Sequence, residues 1–560
     1  MNEKLGKRTS VNRRDDGCNL WLFFGLFVVI TWISPSLATA QSQWTPIPVG
    51  PAVNGPPLGV PAGKGWAANI ALLTDGRLLV SGSDNTSTWN QWWTLTPDSN
   101  GSYATGTWTR VGDAAFGRVF NPAFILRDGR YWVCGGEYVC PASDLGCAIK
   151  DGNWSDCEIF DPIANTWSLA PDMSAGGESL PVNDRPSALT NSGVLVLAYD
   201  MPGNGYGFMF EPASSTWSLT AQFNSTDIPG ESGSLLLPDG SVLAGSSNFD
   251  LYHPTTNQWT AASGLNSGYF FTTQTVGDEI GPFLLLYDGR ALILGANSMN
   301  GLYDYRTGLW SLYPNIDMTP TGPDPMNPYN HGDTPACVEP NGKVLTMVTN
   351  DQTGIAQTSG FMYEWDPSVA PGNGNQWSTS FYPPITSQKS GDPERNRMLV
   401  LPRGNLSMGQ VLVNGAETNG TMWLYTPTGS PPASSPPTIT TAPVLFFGQF
   451  MMSGTQLNGL TNGGDFGDDG KTATNFPIVS LWDNSGHIFY ARTLVDQVVP
   501  TTGGLGGTCW FVQPPGLGAG AYNVHVSASG VDSSNTASLT LPAMDEGPAF
   551  LASITIPLST

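Results

Sequence analysis

Residues 284–296 read LLLYDGRALILGA, two apolar runs separated by Asp-Gly, and the same shape recurs along the chain. It recurs as IALLTDGRLLVSG at 70–82, AFILRDGRYWVCGG at 123–136, ALTNSGVLVLA at 188–198 and LLLPDGSVLAGS at 235–246. It continues as CVEPNGKVLTMV at 337–348 and LVLPRGNLSMGQVLVNG at 399–415. Asp-Gly or Asn-Gly between apolar runs marks a hairpin, because glycine supplies the positive φ the turn needs. Each repeat therefore opens with two antiparallel strands.

The second half of each repeat is also periodic. Phe160, Phe210, Tyr252 and Tyr303 each precede a tryptophan by seven residues, at Trp167, Trp217, Trp259 and Trp310. That spacing fits two further strands joined by a turn, and looser versions run from Pro97 to Trp108 and from Trp365 to Trp377. Units of about 55 residues with four strands each are propeller blades, and seven fit. The seventh, after Tyr425-Thr426-Pro427, has no following tryptophan. Gln43-Trp44-Thr45-Pro46 has the form of the missing strand, so residues near 43–46 are expected to close the ring and remove an exposed edge. The propeller is thus placed at 41–432, with a Pro-rich linker at 429–437. Period-two alternation in short strands places a small β-sandwich of immunoglobulin-like type at 438–541, and 542–560 form a tail without a clear pattern. The fold class is all-β, a seven-bladed kelch-like propeller followed by that sandwich.

The start of the chain reads as an address. Lys4, Lys7, Arg8, Arg13 and Arg14 precede LWLFFGLFVVITWI at 20–33, and Ala38-Thr39-Ala40 supplies small residues two apart. This is a secretory signal over residues 1–40, shorter in its apolar run than a bilayer span; an uncleaved membrane anchor is the alternative. Export places the protein outside the cytoplasm, secreted or at the cell surface, with no membrane insertion beyond the signal segment. Six cysteines remain after the signal, and Cys134, Cys140, Cys147 and Cys157 crowd together without a CxxC pair, so disulfides are expected rather than zinc; Cys134 also suits a buried thiol. The 560-residue chain carries 22 Lys+Arg against 45 Asp+Glu, a net charge of -23. That excludes a nucleic-acid partner and disfavours anionic membrane surfaces, both of which demand basic residues.

The repeat resembles the galactose oxidase/kelch family, secreted propellers with an immunoglobulin-like C-terminal domain. In that family's oxidases, the resemblance implies, copper is held by two tyrosines and two histidines, with a cysteine cross-linked to one tyrosine. Carried onto this chain, the cysteine falls near Trp66-Ala67-Ala68 and the first tyrosine falls at Phe120. The Tyr-His pair falls near Asn396-Arg397-Met398, and the C-terminal histidine has His487 as its candidate. One imidazole does not make a copper(II) site, so no cofactor is expected, copper entering only under an alternative reading as a galactose oxidase-type enzyme.

Strand direction gathers the loops leading into the innermost strands on one end of the ring, together with the loops between second and third strands. Arg118, Glu137, Asp184, Arg185, Asp200, His331, Asp333, Asp351 and Arg397 fall there, and His487 is expected to reach the axis. Polar groups converging from several blades form a binding mouth for a carbohydrate or protein ligand. Trp89, Trp92 and Trp93 serve either sugar stacking or the core. Asp465, Asp468 and Asp469 suggest calcium, at a spacing unlike an EF-hand loop.

Overall fold

A computed structural model describes residues 43–541 except 57–66, 83–89, 142–149, 152–154, 177, 180, 184, 198–204, 224–231, 246–247, 263–279, 297–298, 314–330, 333, 350–359, 370–376, 380–395, 416–420, 466–471 and 496–505. Seven antiparallel blades follow one another, and the seventh is completed by the first described strand, Trp44–Ile47, paired with Met422–Tyr425.

The turn chemistry repeats with the sequence. At the first blade the Gly76 amide donates to the Leu73 carbonyl, the Arg77 amide donates to Asp75 Oδ1, and Gly76 has φ 77. The same bonds recur at Asp128-Gly129-Arg130, Asp239-Gly240-Ser241, Asp288-Gly289-Arg290 and Asn341-Gly342-Lys343. The acidic or amide side chain closes the loop, and glycine alone takes the left-handed position. The aromatic–tryptophan spacing resolves into cross-strand pairs in contact: Phe160 opposite Trp167, Phe210 opposite Trp217, Tyr252 opposite Trp259 and Tyr303 opposite Trp310. Their ring centroids lie 4.9 to 5.4 Å apart. Several of these indoles also donate to the preceding blade, Trp217 to the Pro171 carbonyl and Trp310 to the Ala262 carbonyl. The tryptophan is therefore a rivet between blades as well as core. Trp92 and Trp93 are buried, which places both in the core; Trp89 lies outside the described residues.

The C-terminal strands form one curled sheet, where the sequence pattern suggests an immunoglobulin-like sandwich. Ile488–Val495 pairs through its first half with Ile478–Trp482 and through its second half with Gly506–Val512. A strand shared in this way carries the curl of the sheet. The cluster buried within it includes Val479, Leu481, Ala491, Phe511, Val524 and Val526.

This sheet docks on the hairpin turns, which defines a turn end of the channel opposite the loop end. Tyr490 lies where a Cβ on Gly76 would fall, the Ile488 amide donates to the Ser99 carbonyl, and Arg492 donates to the Asp128 carbonyl at 3.1 Å. The sheet also sends a segment into the channel. Gly464–Asp465 pairs with the innermost strand Ala336–Val338 of the sixth blade. Asn462 accepts from the Leu285 amide and donates to the Phe283 carbonyl, while Asp465 Oδ2 accepts from the Phe283 amide. Innermost strands expose one row of backbone groups to the channel, and these side chains satisfy that row. Asp465 is thus a backbone anchor; Asp468 and Asp469, grouped with it for calcium, lie outside the described residues. Beside the plug remains a cavity of about 80 Å³ lined by innermost strands, Asp465 and Thr472.

Cys134 and Cys157, directly opposite on adjacent strands, form a disulfide. Cys337 and Cys509 are buried, and burial, with Glu339 adding to it, pushes the Cys337 thiol up.

Candidate functional site at the loop end of the channel

Arg118 lies on Phe116–Val119, a strand leading into the second blade. It is buried and turned away from the axis. Its guanidinium meets Glu158 Oε2 at 2.9 Å and donates to the carbonyls of Gly135 and Asp156, each at 2.9 Å. Glu158 in turn accepts the amides of Ala115 and Phe116. Burial pulls the Arg118 pKa down and Glu158 partly restores it. A buried pair whose carboxylate accepts on both oxygens is a fixture of the fold, although Arg118 Nε finds no partner among the described residues. What it fixes is the loop carrying Phe120.

Phe120 has φ 52, a left-handed conformation that is strained for a bulky residue. Its ring is half-buried, with the Tyr138 ring edge-on at 6.1 Å and the Arg397 guanidinium 5.6 Å from its centroid. The Glu137 amide donates to the Phe120 carbonyl, which sets Phe120, half-buried Glu137 and half-buried Tyr138 side by side. Arg397 is buried at the head of the innermost strand Asn396–Val400 and donates to the Asn396 carbonyl.

Amides knit this end together. Asn69 donates to the Arg118 carbonyl and faces the Tyr131 hydroxyl at 3.4 Å, while Asn414 accepts the Ala67 amide from across the ring closure. Sequence reasoning passed over Asn69 and Asn414, although an amide where an apolar strand begins or ends was the available signal.

The remaining sequence-derived residues divide by location. Arg185 is buried before the innermost strand Ser187–Thr190. His331 is fully buried between blades five and six, its Nδ1 3.3 Å from the Met347 carbonyl and 3.2 Å from Thr346 Oγ1. Burial pushes its pKa down to about 4, which leaves it neutral. Asp184, Asp200, Asp333 and Asp351 lie outside the described residues. His487 does not reach the axis. It stands half-exposed in the hairpin between Ile478–Trp482 and Ile488–Val495, its Nδ1 2.8 Å from Asp483 Oδ2, beside the residue that bonds Ser99 at the turn end.

Of the positions to which the resemblance assigns the copper site, Phe120 and Arg397 lie together. They present a phenyl ring and a guanidinium, neither of which donates a lone pair to a metal. The four histidines of the chain sit apart: His331 between two blades, His253 on an outer strand against Thr260, His525 against Asp532 and His487 against Asp483. The described residues at this end therefore do not fit copper(II).

No sequence-family profile matches the chain, and no curated protein matches it. Among solved structures it is similar to a fungal alcohol oxidase of the AA5 family in complex with copper, at 14% identity over 89% of this chain and 98% of that one, TM-score 0.44. It is also similar to the WD40 propeller domain of Doa1, at 10% identity over 65% of this chain and 93% of that one, TM-score 0.36. A catalytically inactive virginiamycin B lyase from Staphylococcus aureus with quinupristin matches at 10% identity over 66% and 98%, TM-score 0.37. Identities this low leave function to the site.

Proposed function

We propose that this chain is an exported propeller that binds a carbohydrate or a protein ligand at the loop end of its channel, without copper. The observation that carries the reading is Phe120. A bulky side chain held in a strained backbone conformation, buttressed by a buried ion pair and backed by Arg397, is what a preorganised contact looks like. With Tyr138 and Glu137 beside it, the described surface offers aromatic rings for the apolar face of a sugar and a carboxylate for hydroxyls. The Cys134–Cys157 disulfide accords with an oxidising compartment.

A glycan array probed with residues 43–560 tests this. Phe120→Asn and Tyr138→Ala should each weaken binding by about tenfold or more, as anchors do. His487→Ala, at the opposite end, should leave it unchanged. Failure to bind any glycan, with a protein ligand then captured through the same residues, selects the protein alternative; binding that is lost through His487 and kept without Phe120 overturns the site.

A further inference from the structure

The C-terminal sheet carries a hairpin, Thr438–Phe446 with Gln449–Thr455, whose tip is Val444-Leu445-Phe446-Phe447-Gly448. Four successive apolar side chains there stand largely in solvent: Val444 55%, Leu445 57%, Phe446 52% and Phe447 77% exposed. The other exposed large hydrophobics among the described residues are isolated along the chain, as at Ile163 and Leu406. Phe447 also has φ 46, where asparagine or glycine would sit with less strain. Fold stability favours a polar residue at this spot on both counts. Two phenyl rings kept in water on a strained turn point to a contact made with something else.

The character of that contact is set by charge, edge and ring geometry. From 433 to 464 there is no Asp, Glu, Lys, Arg or His, in a chain of net charge -23. The tip has no partner to offer a charged surface, and the molecule behind it repels an anionic one. A second copy adding a strand is disfavoured, because the edge strand Thr438–Phe446 shifts register twice and contains Pro443, which lacks an amide donor. A flat polysaccharide surface is disfavoured by the rings, since Phe446 and Phe447 stand at 75° and Phe446 and Trp510 at 54°. A fluid apolar phase makes no demand on ring planes.

We propose that Val444, Leu445, Phe446 and Phe447 insert into the interfacial layer of a lipid bilayer whose headgroups are zwitterionic. This departs from the expectation of no membrane insertion beyond the signal segment. Apolar side chains at a loop tip bury their area among acyl chains, while half-buried Trp510 lies where an indole favours the headgroup boundary.

Residues 43–560 form a compact unit, so the test uses that unit, free of the apolar N-terminal run. It is floated with phosphatidylcholine vesicles beside the double variant Phe446→Ser/Phe447→Asn. The wild type should float, with little dependence on salt, and the double variant should partition about tenfold or more weakly. Thermal unfolding of the variant should be unchanged or shifted upward, since asparagine accepts the left-handed turn. Replacing part of the phosphatidylcholine by phosphatidylserine should lower binding at low ionic strength. A wild type that stays with the soluble fraction, or a folded variant that floats as well as the wild type, overturns the proposal. Self-association through the tip in sedimentation, without vesicle binding, overturns it in favour of a second copy.

Discussion

The two ends of the channel each bury carboxylates, and they treat them differently. At the loop end Glu158 faces a guanidinium and two backbone amides, so its charge is compensated on every side. At the turn end Glu339 and Glu364 are both buried and share one ammonium. Lys343 pairs with Glu364, which also accepts the Tyr425 hydroxyl at 3.1 Å. Glu339 is left with one bond from the Asn341 amide, at 2.8 Å, and its Oε1 has no partner among the described residues. Burial, with the Glu364 charge adding to it, pushes Glu339 up to about 8. The contrast is one of compensation rather than depth, since both acids are buried and only Glu158 faces a guanidinium and two amides.

The largest effect that probes this contrast is at the compensated pair. Glu158→Ala should cost about 3–5 kcal/mol in chemical denaturation, because it strands the Arg118 charge in the interior. Gly281→Ala tests the seam holding His331, since a Cβ there would lie 2.5 Å from the His331 carbonyl oxygen. Overpacking against backbone should cost about 1–3 kcal/mol.

At the uncompensated pair the effect is pH-dependent. Glu339 has a folded pKa of about 8, above its usual 4.5. The folded state binds the extra proton between those values, so the stability this group contributes is full below pH 4.5 and is lost as pH rises through 8. Glu339→Gln should flatten that alkaline decline and stabilise the protein at pH 9 by on the order of 2 kcal/mol. His331 runs the other way. Its folded pKa of about 4 lies below the usual 6.5, so its contribution is present above 6.5 and lost as pH falls through 4. His331→Gln should flatten the acid arm alone, measured by thermal unfolding across pH. The smallest effect sharpens the functional side: Phe120→Asn should leave stability unchanged or raise it by about 0.5–1 kcal/mol while ligand binding falls.

The ring was legible because each blade repeats the same local chemistry. Asp-Gly turns and the aromatic–tryptophan step are set within a few residues, and both appear in the structure as particular bonds. Arg397 could be assigned to the loop end for the same reason, since the start of an innermost strand is fixed by the repeat, whereas Phe120 was reached only through the resemblance, as the position of a missing tyrosine. The misplaced residue was His487, whose position depends on which face of the C-terminal sheet meets the propeller, a matter of docking that local pattern does not encode. Arg118 was located at the right end but without its partner, because Glu158 lies 40 residues on, across an insertion. Glu339 follows the innermost strand of blade six and Glu364 lies on the third strand of the same blade, so the register of that blade brings them together, a matter that local pattern does not supply. The one disulfide among the described residues joins neighbours on adjacent strands, a register that cysteine spacing does not supply.

The proposed loop-end site works without copper, with Phe120 and Arg397 standing where the resemblance puts a tyrosine and the Tyr-His pair. Copper content of residues 43–560 after loading with copper(II) and dialysis, read together with peroxide release on primary alcohols, tests it most directly. The account predicts far less than one copper per chain and no peroxide. One copper per chain with sustained peroxide release would contradict it.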